Sequence, residues 1–137
     1  LQAALLRVKL PHLEAYRRSR AAHAAAYQKA FSGHGGILTP TIIPQAEPVW
    51  NQYTIRVTGG RREALRAFLA DRGIGTEIYY PLGLHQQECF RGVGWGGQTL
   101  NVTSRLAAEV LSLPCFPEMT PGEREQVIRA VWDFGYA

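Results

Sequence analysis

Lysine is nearly missing from this sequence: Lys9 and Lys29 are the only two in 137 residues, beside thirteen arginines. A lysine that forms a Schiff base needs a desolvated pocket to lower its pKa. Both fall instead in a helical N-terminal stretch that suggests none. Cysteine is equally scarce. Cys89 and Cys115 belong to no CxxC pair and no Cys/His cluster, which removes the basis for a zinc site and leaves buried thiols in a reducing compartment as the expectation. No apolar run approaches the roughly 20 residues of a membrane-spanning helix. The opening LQAALLRVKL carries charge inside its apolar stretch and has no small-residue cleavage site, so a signal peptide is not expected. GxSxG, Walker, GxGxxG and HExxH patterns are all missing. The expectation is a cytoplasmic domain whose residues do not suffice for catalysis by themselves.

What is present suits one packed domain spanning residues 1–137, with 46% hydrophobic and 19% charged residues. Net charge is +4 and uneven: residues 1–72 hold eleven basic and four acidic groups, the remainder four basic and seven acidic. The densest run, Arg17, Arg18 and Arg20, sits in an alanine-rich helical stretch without a binding motif, which reads as a solvated helix face. Nucleic-acid binding would want that charge beside aromatic platforms. A positive half facing an anionic small molecule is the intermediate reading.

Residues 1–32 form the N-terminal helical segment, since Leu5, Leu6, Leu10, Leu13 and Tyr16 recur at three- and four-residue spacing. Pro11 divides it, and the glycines near His34 end it. The body follows over residues 37–137. Residues 37–44 are too proline-punctuated for a central strand. Residues 49–57 alternate as a half-buried strand, and RREALRAFLADRG is an amphipathic helix stopped by Gly73. Residues 74–80 alternate again, predicting a second strand that ends at Pro81. A glycine-rich loop over 83–97 precedes a helix near 102–111, a short apolar edge strand over 113–116, and a last helix opened by the capping box TPGE. Together these describe an α+β fold with a small, mainly antiparallel sheet covered by helices. His12, His23 and His34 have no obvious partner, whereas His85 follows a strand end, where loops present side chains to ligands.

The whole sequence resembles the C-terminal small domain of the DegT/DnrJ/EryC1/StrS family of pyridoxal-phosphate-dependent sugar aminotransferases. LQAALLRVKLPHLEAYRRSRAAHAAAY resembles the long helix leaving the family's large domain, and WNQYTIRV its first small-domain strand. RREALRAFLADRGIGTEIYYPLGLHQQECF is similar to its helix, "GI" strand, "YP" and "LHxQ" loop, and AAEVLSLPCFPEMTPGEREQVIRAVWDF to its "LSLP" segment and closing helix. The resemblance implies a large domain, not among these residues, that holds pyridoxal 5'-phosphate on its lysine. It also implies a nucleotide-linked keto-sugar as substrate, glutamate as amino donor, and a homodimer. This chain would close over the substrate, inactive alone.

The resemblance makes His85, Gln87, Tyr80 and Pro81 candidates for the substrate-pocket wall, with Asn51, where the strand motif varies between histidine and asparagine-like residues, as a weaker one. No catalytic or metal-binding residue is expected in this chain. Trp50 and Trp132 read as packing residues and Trp95 as a lid element or loop cover. Gly83 departs from the family by standing where a second proline is common, which would loosen the loop carrying His85. A stand-alone ligand-binding or regulatory module that kept this fold, and a lysine-less dehydratase relative, are the alternatives.

Overall fold

The computed structural model describes residues 1–90, 92, 94 and 99–135; Trp95 lies outside them. The N-terminal segment is divided where Pro11 requires it. Helix α1 (Gln2–Lys9) passes through a tight 3₁₀ turn at Leu10–His12 into α2 (Leu13–Ala30). The apolar positions that gave α1 its period meet no core, since Leu5, Leu6, Leu10 and Leu13 are all more than half exposed. Burial begins at the other end of α2, where His23, Ala24 and Tyr27 face inward.

Three strands make an antiparallel sheet in the order β1 (Ile37–Leu38), β2 (Tyr53–Val57), β3 (Val110–Leu113). On β2 the alternation expected from sequence is realised: Tyr53, Ile55 and Val57 are fully buried, while Thr54 and Arg56 face outward. Leu65 and Leu69 of α3 (Arg62–Ala70) and Val127 and Val131 of α5 (Pro121–Asp133) complete the core with α2. Gly73 adopts φ +72°, a conformation that costs glycine little, and lets the Ile74 amide reach back to the Leu69 carbonyl at 2.9 Å, closing α3. At α5 the capping box forms in both directions. The Glu123 amide donates to Thr120 Oγ1 at 3.2 Å, and the Thr120 amide donates to the Glu123 carboxylate at 2.7 Å.

The structure differs from the sequence expectations in three segments, each for a backbone reason. Pairing on β2 begins at Tyr53 rather than residue 49, because Trp50 sits at φ +57° and breaks the extended run. The strand expected over 74–80 is reduced to one bridge, in which Glu77 exchanges both backbone hydrogen bonds with Ser112 at 3.1 and 2.8 Å. Its partner is too short to offer more. The Val110 amide is spent on the Leu106 carbonyl at the end of α4 (Asn101–Glu109), and Pro114 has no amide to give. For the same reason Val110 and Leu111, expected at the end of a helix, start β3, and the edge strand expected over 113–116 ends at Leu113.

Two tryptophans pack differently. Trp50 is partly buried against the core, 5.4 Å from the Tyr53 ring. Trp132 remains 48% exposed, lies 4.4 Å from His34 and donates its indole N–H to the Ala30 carbonyl at 3.2 Å.

His23, 4% exposed, is the buried titratable link between α2 and α5. Arg124 approaches its Nδ1 at 3.3 Å, so Nδ1 accepts and Nε2 carries the proton toward Ser19 Oγ, also 3.3 Å away. Burial holds the His23 pKa below its ordinary value, and the charges of Arg124 and Arg20 push the same way; burial does likewise at His34. A histidine depressed in the folded state makes no pH-dependent contribution above the unfolded value of about 6.5. As pH falls through that value the unfolded chain takes up the proton first, so stability declines. Urea midpoints measured between pH 7.5 and 5 should therefore fall with pH, and His23→Gln should make the fall shallower, His34 supplying the remainder. An unchanged slope in the variant would refute the assignment.

Candidate functional site

Two clefts border the segment from Gly75 to His85. The first, of about 400 Å³, lies where β2 begins and β3 ends, with Arg20, Asn51, Gln52, Glu77, Tyr79 and Phe116 among its walls. The alternation that suggested a strand over 74–80 puts Gly75, Glu77 and Tyr79 on one side; all three line this cleft, and Thr76 joins them from the other side. The second, of about 440 Å³, is lined by Leu84, His85, Phe90, Leu100 and Thr103.

The first cleft is held open by Arg20. Its Nη1 donates to the carbonyls of Cys115 at 2.8 Å, Asn51 at 3.1 Å and Trp50 at 3.3 Å, joining α2 to the start of β2 and to the connection leaving β3. These carbonyls lie outside the ladder and need a donor. Arg20 is therefore part of the architecture and not a solvated face residue. Arg17 likewise bridges Glu14, at 2.8 Å, and Glu47, while Arg18 is exposed. Cys115 is buried beside Arg20, and burial pushes its thiol pKa up. Cys89 is exposed, against the expectation of two buried thiols.

In the second cleft His85 stands on a 3₁₀ turn, Leu84–Gln86, that is closed by the Gln86 side chain accepting the Gly83 amide at 3.0 Å. Gly83 has φ −64°, ψ 149°, a backbone that proline also fits. At such a position glycine gives up the restraint that proline would supply, and the departure also acts through space. A Cβ at Gly83 would meet His85 Cε1 at 2.7 Å, and His85 Nδ1 and Thr103 Cγ2 at 2.8 Å. The imidazole occupies room that only glycine leaves.

Of the residues expected from sequence, the structure thus places Asn51 in one cleft and His85 in the other. Tyr80 (70% exposed) and Pro81 stand on the surface between Tyr79 and Leu84. Gln87, half-buried, follows the 3₁₀ turn and accepts weakly from the Cys89 thiol at 3.9 Å. Arg20, Gln52, Glu77 and Tyr79 were not expected. Their signal was partly legible in the 74–80 alternation, but Arg20 acts across 95 residues on a carbonyl, which carries no side-chain signature. Lys9 and Lys29 are both exposed, on α1 and α2. Among the described residues no three His, Cys, Asp or Glu side chains gather as for a metal ion, and no helix is long and apolar enough to cross a membrane.

The model of the DegT/DnrJ/EryC1/StrS aminotransferase family matches residues 1–132. A "pleiotropic regulatory protein" of Geobacillus stearothermophilus is 38% identical over 136 residues, covering 98% of this chain and 36% of the relative. A dTDP-3-amino-3,4,6-trideoxy-alpha-D-glucose transaminase of Streptomyces venezuelae is 37% identical over 131 residues, covering 96% of this chain and 33% of its own length. Among solved structures, S. venezuelae DesV in complex with a ketimine intermediate superposes with a TM-score of 0.86 at 35% identity, covering 97% of this chain and 35% of that one. The chain thus spans about a third of the length of these relatives.

The packing around Gly83 gives a direct test. Gly83→Ala should drive the imidazole out of its niche while costing less than about 1 kcal/mol, because the atoms it meets are the ends of flexible side chains. The His85 Cε1 proton resonance and its nuclear Overhauser contacts to Thr103 report this, and unchanged contacts would refute the account.

Proposed function

Because this chain belongs to the DegT/DnrJ/EryC1/StrS aminotransferase family, we propose that it is the C-terminal domain of a pyridoxal-phosphate-dependent transaminase acting on a nucleotide-linked keto-sugar. The observation that carries the reading is the family match over nearly the whole chain, combined with a run from Gly75 to His85 that walls two clefts. The residues of this chain do not fit covalent attachment of the cofactor, since both lysines are exposed on helices. On this reading the cofactor belongs to a large domain outside these residues, and the chain by itself is inactive.

Its own contribution is to the substrate. His85 presents an imidazole from a closed turn, and Tyr80 and Gln87, five residues before it and two after it, are assigned a phenol and an amide toward the same substrate. Pro81 stiffens the approach, and Asn51 contributes from the first cleft. Such groups orient a sugar and exclude water when a domain closes. The full-length protein is taken to act as a cytoplasmic homodimer with glutamate as donor. A second reading, a regulatory module, draws its support from the name of the Geobacillus relative.

The native-length protein, incubated with pyridoxal phosphate, reduced with borohydride and digested, separates these readings. The reduced cofactor should be found on a lysine outside residues 1–137, and His85→Ala should raise KM for the nucleotide sugar by roughly tenfold. Label on Lys9 or Lys29 accompanied by turnover would overturn the transaminase-domain reading. Absence of label together with absence of transamination would leave the regulatory one.

A further inference from the structure

Helix α5 is held unevenly. Val127, Ala130 and Val131 are buried in the core with Ala24 and Tyr27 of α2. Ahead of them, from Pro117 to Gln126, Met119 alone is buried, its sulfur 3.8 Å from the Tyr27 phenol oxygen. Two further side-chain hydrogen bonds tie this stretch to α2. Ser19 donates its hydroxyl to the Pro117 carbonyl, and Arg124 reaches His23 Nδ1 at 3.3 Å. The two meet at His23, whose Nε2 lies 3.3 Å from Ser19 Oγ.

The charges that act on this imidazole are of one sign. Arg124 faces it from α5 and Arg20 acts from its own helix, both against protonation. The neighbouring carboxylates are engaged or turned to solvent: Glu123 accepts from the Thr120 amide and hydroxyl, Glu125 lies 3.3 Å from Arg129, and Glu118 is exposed on the connection from β3. Tyr27, one turn along α2, and Cys115, beside Arg20, are kept neutral by burial. His23 therefore serves Arg124 only while Nδ1 keeps its lone pair. A second proton sets N–H against N–H and brings two like charges together in a buried seam, where repulsion is least screened. Arg124 is half-buried and lies in the first turn of α5, where the helix dipole disfavours a cation, so it is the partner that leaves for water.

Its departure reaches the first cleft. The Met119 amide donates to the Phe116 carbonyl at 3.2 Å, which joins the weakly held stretch to Phe116, a wall of that cleft. We propose that His23 is a proton-operated latch: a proton on Nδ1 expels Arg124 from the seam between α2 and α5, frees the stretch from Pro117 to Arg124, and so shifts the Phe116 wall of the first cleft. The core half of α5 stays in place, since Val127 and Val131 are anchored independently. The latch goes beyond the transaminase-domain reading and does not depend on it.

The test follows the native-length protein, labelled with 13C and 15N, by NMR as pH is lowered from neutral. Met119, the single methionine of these residues, is assigned through Met119→Leu. The His23 Cε1 proton should titrate below the ordinary value of about 6.5. The Met119 methyl and the Phe116 amide should move with the same midpoint, while the Ile55 amide on the central strand stays in place. Arg124→Gln should raise the His23 midpoint toward about 6.5, because it removes an opposing charge, and should uncouple Met119 from it. His23→Gln should abolish the Met119 transition, and His34→Gln should leave it unchanged. The latch is overturned if Met119 ignores the His23 titration or moves only together with Ile55, which is general melting. It is equally overturned if the transition survives His23→Gln, disappears in His34→Gln, or keeps its midpoint and coupling in Arg124→Gln. None of these outcomes alters the cofactor-labelling result for the transaminase reading.

Discussion

The connection from β3 to α5 is the constraint on which the rest depends. Pro114 and Pro117 bar it from helix and from the sheet ladder, so its carbonyls must find donors elsewhere. One helix supplies them. Along α2, Tyr27 donates its hydroxyl to the Pro114 carbonyl at 2.9 Å, Arg20 donates to Cys115 and Ser19 to Pro117. Removing a donor would leave a carbonyl stranded at a cost of about 1–3 kcal/mol. Burial pushes the Tyr27 phenol well above its ordinary pKa, so it stays protonated and a donor throughout the neutral range. His23, on the same helix, links Ser19 to Arg124 and so carries the set across to α5.

This arrangement also explains why the cleft at Asn51 exists. A regular ladder would have carried β2 back through residues 49–52 beside the connection that leaves β3. Instead Trp50 turns into the left-handed region, its carbonyl is captured by Arg20, and Asn51 and Gln52 line the cleft ahead of the central strand. Backbone strain of this kind persists only where surrounding contacts over-determine it. The Trp50 ring against Tyr53 and the hydrogen bond from Arg20 are those contacts.

The parts of the fold legible in sequence were those decided by side-chain period and by caps. The inward face of β2, the stop at Gly73, the break at Pro11 and the capping box of Thr120 and Glu123 are of this kind. What was not legible depended on backbone groups meeting over long separations. The alternation over 74–80 reports which side chains share a side, and Glu77 and Tyr79 do. It does not report whether a partner has free amides, and β3 had only Ser112 to offer. At the candidate site His85 could be singled out by its place in the chain, but its niche against Gly83 and Thr103 could not, since position 103 is distant in sequence and glycine announces only a missing side chain.

The excess of arginine over lysine has a meaning beyond charge. Arg72 lies 3.4 Å over the Phe68 ring, Arg61 lies 4.6 Å over Phe134, and Arg56 reaches Glu109 through both Nε and Nη2. These are flat, forked contacts that a guanidinium makes and an ammonium does not. An electrophile such as an aldehyde or an activated acyl group condenses with amines and leaves guanidinium ions alone at neutral pH. A surface built this way keeps its positive charge under carbonyl and acylation chemistry that would progressively neutralise a lysine-rich one.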